Sequence, residues 1–370
     1  MTSDLVREIL RASPRVLPLL GGQEIHVQEL TRALEARGLR HTLVYAAGAP
    51  DPAGTEIQRL PVMPIPSTMA RDALFGWKLS RLRRAPCDVV HTHGDAPVAR
   101  GGARLAQRLG VPHVHTFHGG LVGRGIRGGV LRAFLPRHSW YLAVSRGVAR
   151  GLARAGADPE RIFVRPSGVR DVFFEADSAR RADVVVGGRL ILEKGIGDLV
   201  AAWGRAVTGA SRLHVFGAGP EEPRIRRIAE VSPNVVWLGR LDQSELASVF
   251  GSAAAGVVTG RRPMGGQSDE GTPTVALEML AAGCYTTVGT ATGELPDVVR
   301  RLGLGEVHDE PPDPEHLRKL AALWSDPARN DVRTRARRHM EAIFGWPGIA
   351  EQIHRFYEEI SRDQAAGEDA

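Results

Sequence analysis

The sequence predicts an α/β protein of two domains, each a parallel sheet covered by helices. Three observations carry that expectation. A chain of 370 residues is too long for one ordinary domain and suits two. Short β-like runs alternate with helical ones in two successive series, the mark of βαβ units. A hydrophobic content of 43% with 24% charged residues is ordinary for a globular chain.

In the first series, strands are expected at Leu5–Ala12, His41–Ala46, Glu56–Leu60, Asp88–His93, Val111–Phe117 and Ser139–Val144. Helices fit Glu24–Arg37 (ended by Gly38), Arg71–Arg83, Pro97–Leu109, Arg127–Phe134 and Arg146–Ala155. The alternation lapses around Arg165–Ser178, where the linker is placed. The second series offers strands at Asp183–Gly187, Arg212–Phe216, Val235–Leu238, Ala254–Val258 and Tyr285–Val288. Its helices fit Ile196–Val207, Glu221–Ala229, Gln243–Phe250, Pro273–Ala282 and Leu295–Arg301. A helical tail, Pro314–Ser325 and Ala328–Ile343, breaks at Gly345-Trp346-Pro347 and resumes to about Ser361; Asp363–Ala370 reads as frayed. Two Rossmann-like domains with a cleft between them are the economical reading, with ligands at the carboxyl ends of the strands.

Two cysteines, Cys87 and Cys284, give no disulfide framework and suit a reducing compartment. No apolar run approaches the roughly 18 residues that cross a bilayer, and the N-terminus has no apolar signal core, so a cytoplasmic location is expected. The net charge of +6 is uneven: residues 1–170 carry 25 Lys+Arg against 12 Asp+Glu, and the remainder 23 against 30. A basic half invites a nucleic-acid reading. Yet there is no zinc finger, no RNA-recognition signature and no aromatic-interleaved basic run, so nucleic acid is not an expected partner. Anionic substrates or an anionic membrane surface explain the charge as well. The helix after the proline-rich Pro61–Pro66 loop mixes Arg71, Lys78, Arg81, Arg83 and Arg84 with Leu74, Phe75, Trp77, Leu79 and Leu82. A domain helix with its apolar face in the core is the preferred account. Peripheral contact with the inner face of a membrane is the alternative.

The most informative stretch runs from Ser268 to Gly283. It reads as a polar loop entering a helix, with Thr272 as N-cap and Pro273 in the first helical position. Helical side chains lean toward the N-terminus, so Glu278 points back at the region that Glu270 lines. The helix start offers unpaired N–H groups and a positive dipole end, a seat for phosphate. Two hydroxyl-accepting carboxylates around an anion seat suit a sugar joined to a diphosphate and a ribose. A capped amphipathic helix with two solvated glutamates is the bland account.

Gly21-Gly22-Gln23-Glu24-Ile25-His26-Val27 follows the first strand and opens the first helix, where glycines permit close backbone approach. Five histidines cluster at His91, His93, His113, His115 and His118. Alternation places His91 with His93, and His113 with His115, on one strand face each. Without an acidic or cysteine partner at matching spacing, a zinc site is not expected. Most of the five read as strand-end polar residues. Gly188-Arg189-Leu190-Ile191-Leu192-Glu193-Lys194-Gly195 closes the first strand of the second series, and Lys194 is one of only three lysines. Gly217-Ala218-Gly219-Pro220-Glu221-Glu222 sits where a dinucleotide fingerprint would. The third glycine is missing, however, and two carboxylates would repel a pyrophosphate.

The pattern Glu-Gly-x-Pro-x-x-x-Leu-Glu-Met-Leu-Ala-x-Gly resembles the signature of family 4 of the retaining glycosyltransferases, which have the two-domain B-type fold. Gly-Gly-x-x-x-His-Val, Thr-x-His-Gly at His118 and Gly-Arg-x-x-x-Glu-Lys-Gly resemble further motifs of that family, in the same order. The resemblance implies that Glu270 contacts the donor sugar and Glu278 the ribose. Arg189 and Lys194 would neutralise the diphosphate, with Gly21, Gly22, Gly188, Gly271, Thr272, Pro273 and Thr274 lining phosphate and sugar. His118 would reach the sugar from the first domain, and Arg240 and Leu241 would lie at the base. Phe344-Gly345-Trp346 resembles the point where the last helix crosses back. The domains are then 1–166 with 347–361, and 171–344. The implied activity is transfer from a nucleotide-diphosphate sugar of UDP or GDP type to a hydroxyl acceptor, with no metal and no cofactor. A same-fold epimerase or phosphorylase, or a non-catalytic basic RNA- or membrane-binding protein, is the alternative. Two departures stand out: Pro166-Ser167-Gly168-Val169-Arg170 replaces the usual Pro-Asn-Gly-Val-Asp, and the loop Gly260–Gln267 is long.

Overall fold

The computed structural model describes residues 6–17, 21–48, 56–63, 67–83, 86–119, 125–176, 183–208, 210–260, 273–290, 292, 294–303, 305–309, 312–322 and 329–368. The chain divides into two compact units, Met1–Gly168 with Trp346–Ala370, and Val169–Gly345.

The described residues of the first unit give strands β1 (Glu8–Arg15), β2 (Arg40–Ala47), β3 (Glu56–Arg59), β4 (Val89–His93), β5 (His113–Phe117), β6 (Trp140–Ala143) and β7 (Ile162–Val164). They form one parallel sheet in the order β3-β2-β1-β4-β5-β6-β7. The connecting helices are α1 (Gly22–Glu35), α2 (Thr68–Leu79), α3 (Ala96–Leu109), α4 (Gly125–Phe134) and α5 (Arg146–Arg154). Strand β7 was not expected, because three residues carry no readable period.

The second unit opens with α6 (Asp171–Phe174), a single turn inside the expected linker. Its strands are β8 (Val184–Arg189), β9 (Leu213–Ala218), β10 (Val235–Gly239), β11 (Ala255–Val258), β12 (Tyr285–Gly289) and β13 (Val307–His308). They lie parallel in the order β10-β9-β8-β11-β12-β13. Helices α7 (Ile196–Ala206), α8 (Glu222–Val231), α9 (Gln243–Ser252), α10 (Thr274–Ala281), α11 (Leu295–Leu302), α12 (Pro314–Ala322) and α13 (Arg329–Phe344) complete it. Helix α14 (Trp346–Glu368) then belongs to the first unit. It extends past Ser361, where fraying was expected.

Local chemistry explains the boundaries. Ser67 and Ser145 cap α2 and α5 by accepting from Ala70 N–H and Val148 N–H. Asp242 and Glu245 form a reciprocal capping box that starts α9. The central strands of the second sheet, β8 and β11, are apolar on two faces through Val184–Val186 and Ala255–Val258, as parallel strands between helix layers usually are, whereas β1 and β4 of the first sheet bury Arg11, His91 and His93. In the first unit, Leu30 and Leu34 of α1 meet Trp346, Ile349, Ile353 and Tyr357 of α14 in one buried cluster. Burying each large side chain there is worth about 1.5–3 kcal/mol, enough to hold the last helix on this unit. In the second, Trp203 of α7 is fully buried with Val184, Val186, Val215 and Val257.

Each sheet order reverses direction once: between β1 and β4 in the first unit, and between β8 and β11 in the second. At such a point the loops after the two strands diverge to opposite faces and leave a crevice at the carboxyl edge. The expected motifs leave those strands. Gly21–Gly22 follow β1 and His93 ends β4; Arg189 ends β8, and α10 is the helix after β11.

Candidate active site

In the second unit, Gly188 has φ +129°, a backbone that side-chain-bearing residues rarely adopt, and Arg189 follows it exposed at the end of β8. The chain then makes one 3₁₀ turn, Leu192–Lys194, and Gly195 at φ +65° starts α7. Lys194 is therefore carried on a tight turn at the carboxyl edge of the sheet, half-buried, five residues after Arg189.

Helix α10 departs from expectation by one residue. Pro273 is the N-cap, with ψ 117°, and Thr274 is the first helical residue. A ring-fixed φ suits the cap as well as the first turn, and the ψ decides. Glu278 remains in the second turn. Burial pushes its carboxyl up to about 7, with the positive charge of Arg170 pulling the other way. Glu270, Gly271 and Thr272 lie outside the described residues, as does the 261–267 loop.

Arg240 is exposed after β10, next to Gly239 at φ +75°. Leu241 packs against the core cluster of α9, α10 and β11. Glycines 217 and 219 have a structural task. A Cβ on Gly217 would lie 1.9 Å from the carbonyl oxygen of Gly188, and one on Gly219 2.5 Å from that of Leu190. They let β9 pass close to the segment carrying Arg189. The Glu221 carboxylate is engaged by Arg224, whose other nitrogen reaches Asp198, each at 2.9 Å. This geometry accounts for the stretch without a dinucleotide.

In the first unit, Gly21 is the N-cap of α1 in extended backbone, and Gly22 is its first residue. A Cβ on Gly21 would meet the Glu24 carboxylate at 2.3 Å, while Glu24 itself pairs with Arg15 at 3.1 Å. His118 directly follows β5 and is partly exposed.

The histidines correct the sequence reading. Most of the five were expected to be strand-end polar residues; His93 and His113 do stand at strand ends, but His91 and His115 lie within strands, and His91, His93 and His115 are fully buried and His113 nearly so. A neutral imidazole tolerates burial when its nitrogens are bonded, and these are. His113 meets Ser139 Oγ at 2.6 Å and Thr92 Oγ1 at 2.9 Å. His115 meets Thr92 Oγ1 at 2.6 Å and the Gly94 carbonyl at 3.1 Å. His91 lies between the Tyr357 hydroxyl at 2.6 Å and Thr116 Oγ1 at 2.7 Å. Residue His93 meets His118 at 3.2 Å and Arg11 at 3.3 Å.

Two residues that were not singled out belong to this group. Arg11, in the middle of β1, is fully buried and bonds His93 and His41. His26 of α1 is buried beside His118, ring centroids 4.7 Å apart, with Nδ1 2.9 Å from Ser167 Oγ and Nε2 without a hydrogen-bond partner among the described residues. His26 stood inside the quoted glycine motif, so the signal was present; Arg11 gave none. Burial first, then neighbouring positive charge, pushes the imidazoles of His26, His91 and His93 well below their usual range. That of His118 falls to about 3, from burial and then His115. All are neutral at physiological pH. Among the described residues, His26, His93 and His118 bring one nitrogen each within 4.8 Å of one another, a spacing that a metal ion could use.

Residues 20–172 match the family model of Glycosyltransferase Family 4, and residues 181–325 that of Glycosyl transferases group 1. A GDP-mannose-dependent monoacylated α-(1-6)-phosphatidylinositol monomannoside mannosyltransferase of Corynebacterium glutamicum is 31% identical over 170 residues. That match covers 45% of this chain and 44% of the relative, so the chain spans less than half the length of that protein. The glycogen synthase of Mycobacterium tuberculosis is 27% identical over 92% of this chain and 91% of its own. Among solved structures, a sucrose-phosphate synthase of Thermosynechococcus elongatus superposes with a TM-score of 0.73 at 20% identity, covering 95% and 98% of the two chains. Anabaena HepE in complex with UDP and glucose gives 0.70 at 15% identity, covering 95% of this chain and all of that one. With two parallel α/β units that share this architecture and two family models spanning most of its length, the chain belongs to family 4 of the glycosyltransferases, with the B-type fold.

Proposed function

We propose that this enzyme moves a hexose from a UDP- or GDP-sugar to a hydroxyl acceptor with retention at the anomeric carbon, using neither metal nor cofactor. The observation that carries the reading is that Arg189, Lys194 and Glu278 all stand on segments leaving the reversal point of the second unit's sheet. Two cations and a helix start suffice electrostatically for a departing diphosphate. In this reading Arg189 and Lys194 hold the phosphates and Glu278 the ribose. Glycine 188 keeps the turn open, and the backbone of Gly271, Thr272, Pro273 and Thr274 meets phosphate and sugar. Arg240 and Leu241 flank the base. Glu270 and His118 hold the sugar, with Gly21 and Gly22 near the reacting carbon.

The bond from the anomeric carbon to the diphosphate oxygen breaks through an oxocarbenium-like state. The acceptor oxygen bonds to the same face, and its proton passes to the departing phosphate oxygen. No carboxylate nucleophile is assigned. The relatives' names, one GDP-mannose-dependent and one bound to UDP and glucose, support a nucleotide sugar as donor. The acceptor class is a glycoside, a natural-product scaffold or a lipid-linked intermediate.

A thermal-shift panel of UDP, GDP, ADP and dTDP with their sugars tests the reading. At a hundredfold excess over Kd, binding adds about 2.7 kcal/mol, a rise of roughly 5 °C or more for units of this size. No shift with any nucleotide would overturn it. Turnover of the stabilising donor that survives EDTA supports metal independence; loss in EDTA, restored by a divalent cation, removes it.

One surface favours a lipid-linked acceptor. Helix α2 buries Phe75 and Leu79 as a domain helix should. Its outward side and the preceding loop leave Met63, Met69 and Trp77 exposed by 71%, 43% and 51%. Arg81 stacks 4.1 Å above the Trp77 ring, and Lys78 flanks it. Apolar rings among cations suit an anionic lipid surface. Among the described residues no helix is long and apolar enough to cross a membrane, so such contact is peripheral. Flotation with anionic vesicles that Trp77→Ala weakens supports it; no flotation at physiological salt argues for a soluble acceptor.

A further inference from the structure

Among the described residues no carboxylate is bonded to Arg11, which the first unit buries fully, and that charge has a directional consequence. Arg11 offers N–H donors and no acceptor. Its Nη1 lies 3.3 Å from His93 Nε2, and its Nη2 3.3 Å from His41 Nε2. Each of those imidazole nitrogens must therefore be the unprotonated one, because a ring N–H would face another N–H. A neutral His93 then carries its proton on Nδ1. That nitrogen is 3.2 Å from His118 Nε2, which accepts it. A neutral His118 is left with its proton on Nδ1. We infer that Arg11 is a positioning residue: through His93 it fixes the tautomer of His118, so that this side chain presents Nδ1–H to the donor sugar.

The surroundings hold the arrangement in place. Arg11 is bonded to His41 and His93, acts electrostatically on His91, and feels the Tyr357 hydroxyl first and the Glu35 carboxylate last. The remaining imidazoles cannot compete for the proton, since burial and the guanidinium keep them neutral. On the other side of Arg11, His91 Nδ1 is bonded to the Tyr357 hydroxyl and its Nε2 to Thr116 Oγ1, so both ring nitrogens are occupied. That second chain fixes His91 and leaves His93 as the only route from Arg11 to His118 among the described residues. Successive hydrogen bonds polarise one another in a low-dielectric interior. The outermost N–H thus becomes a stronger donor while the side chain stays neutral across the physiological range.

The same wiring bears on the three-histidine grouping. Binding a cation at His93 Nδ1 would displace the proton that Arg11 imposes there, and would set two cationic groups on one ring. The proposal rests on the reading that His118 meets the sugar, but its first test needs no sugar. In ¹⁵N-histidine-labelled free protein, with His118 assigned by loss of its signal in His118→Gln, long-range ¹H–¹⁵N correlations identify which nitrogen is protonated. The expected result is Nδ1–H on both His93 and His118. In Arg11→Met and His93→Leu the His118 signal should move toward the Nε2–H form. His93→Asn, whose amide N–H can stand where Nδ1–H stood, should keep the Nδ1–H form.

Nε2–H on His118 in the unmodified protein, or a tautomer that Arg11→Met and His93→Leu both leave unchanged, would overturn the proposal. So would one equivalent of Zn²⁺ bound with loss of the His93 Nδ1 proton. In turnover, His93→Leu should lower kcat about tenfold, the scale of one hydrogen bond. The affinity for free nucleotide diphosphate should change less than twofold, and His93→Asn should recover most of the rate. Because the tautomer is read on the free protein, its failure is distinct from failure of the glycosyltransferase reading, which the nucleotide panel reports.

Discussion

The two sheet-reversal points solve the same problem, displaying polar groups at a carboxyl edge, in opposite ways. In the first unit the cation is inside. Arg11 is fully buried, and its partners are neutral imidazoles that were desolvated on folding and bonded to one another. In the second unit the acid is inside and the cations are out. Arg189 is exposed, Lys194 half-buried, and the Glu278 carboxyl is pushed up to about 7. A group that has lost its water and gained partners is set in orientation before any ligand arrives. One still in water keeps its charge for a ligand, and is desolvated only on binding. The first unit is therefore read as supplying direction, and the second as supplying charge.

Mutations sharpen that contrast. Lys194→Ala should have the largest effect, cutting turnover by about 10²–10³, the scale of one lost transition-state stabiliser. Its melting temperature should hardly move, because a half-buried side chain on a 3₁₀ turn supports little packing. Near-normal turnover would remove Lys194 from the site. Next come the two signature carboxylates. Glu278→Ala should weaken free nucleotide diphosphate and intact donor alike by more than tenfold, since a bond from a neutral hydroxyl to a charged acceptor is worth about 1.5–3 kcal/mol. Glu270→Ala should spare the free nucleotide and impair donor binding or turnover. Calorimetry of both variants with both ligands decides the matter, and equal losses of free-nucleotide affinity would sink the division of roles.

The same contrast explains what the sequence disclosed. Alternation of apolar runs was enough for most strands and helices in both units, because a parallel sheet between helix layers imposes a strong pattern. β7 and β13, three and two residues long, were below that signal. The proposed charged site was legible because its residues stand in short motifs, Gly188–Gly195 and the stretch through Glu278. The buried network was not. An arginine in mid-strand looks like an edge residue, and only the fold joins Arg11 to His41 and His93, 30 and 82 residues away. The departures at Ser167 and Arg170 carry information. Ser167 bonds His26, and Arg170 is the charge acting on Glu278.

The smallest effect tests the buried acid by pH. With a folded pKa raised from 4.5 to about 7, Glu278 keeps its proton in the folded state where the unfolded chain has lost it. Folding stability therefore falls as pH rises from about 4.5 to 7, and is level above. A ligand that needs the ionised carboxylate shows the opposite trend: its affinity rises through pH 7. The intact nucleotide sugar is the right probe, because its diphosphate lacks the secondary phosphate ionisation near pH 6 that would add a slope of its own. Between pH 6 and 8 its affinity should increase by several-fold and less than about tenfold, since the protonated carboxyl can still accept one hydrogen bond through its carbonyl oxygen. Glu278→Gln should flatten both curves. Above pH 7 it should be more stable than the parent, having no charge to bury, and bind donor more weakly, having only a neutral acceptor. A variant that is neither more stable nor weaker in binding at pH 8 would place Glu278 in the core as packing and take the ribose away from it.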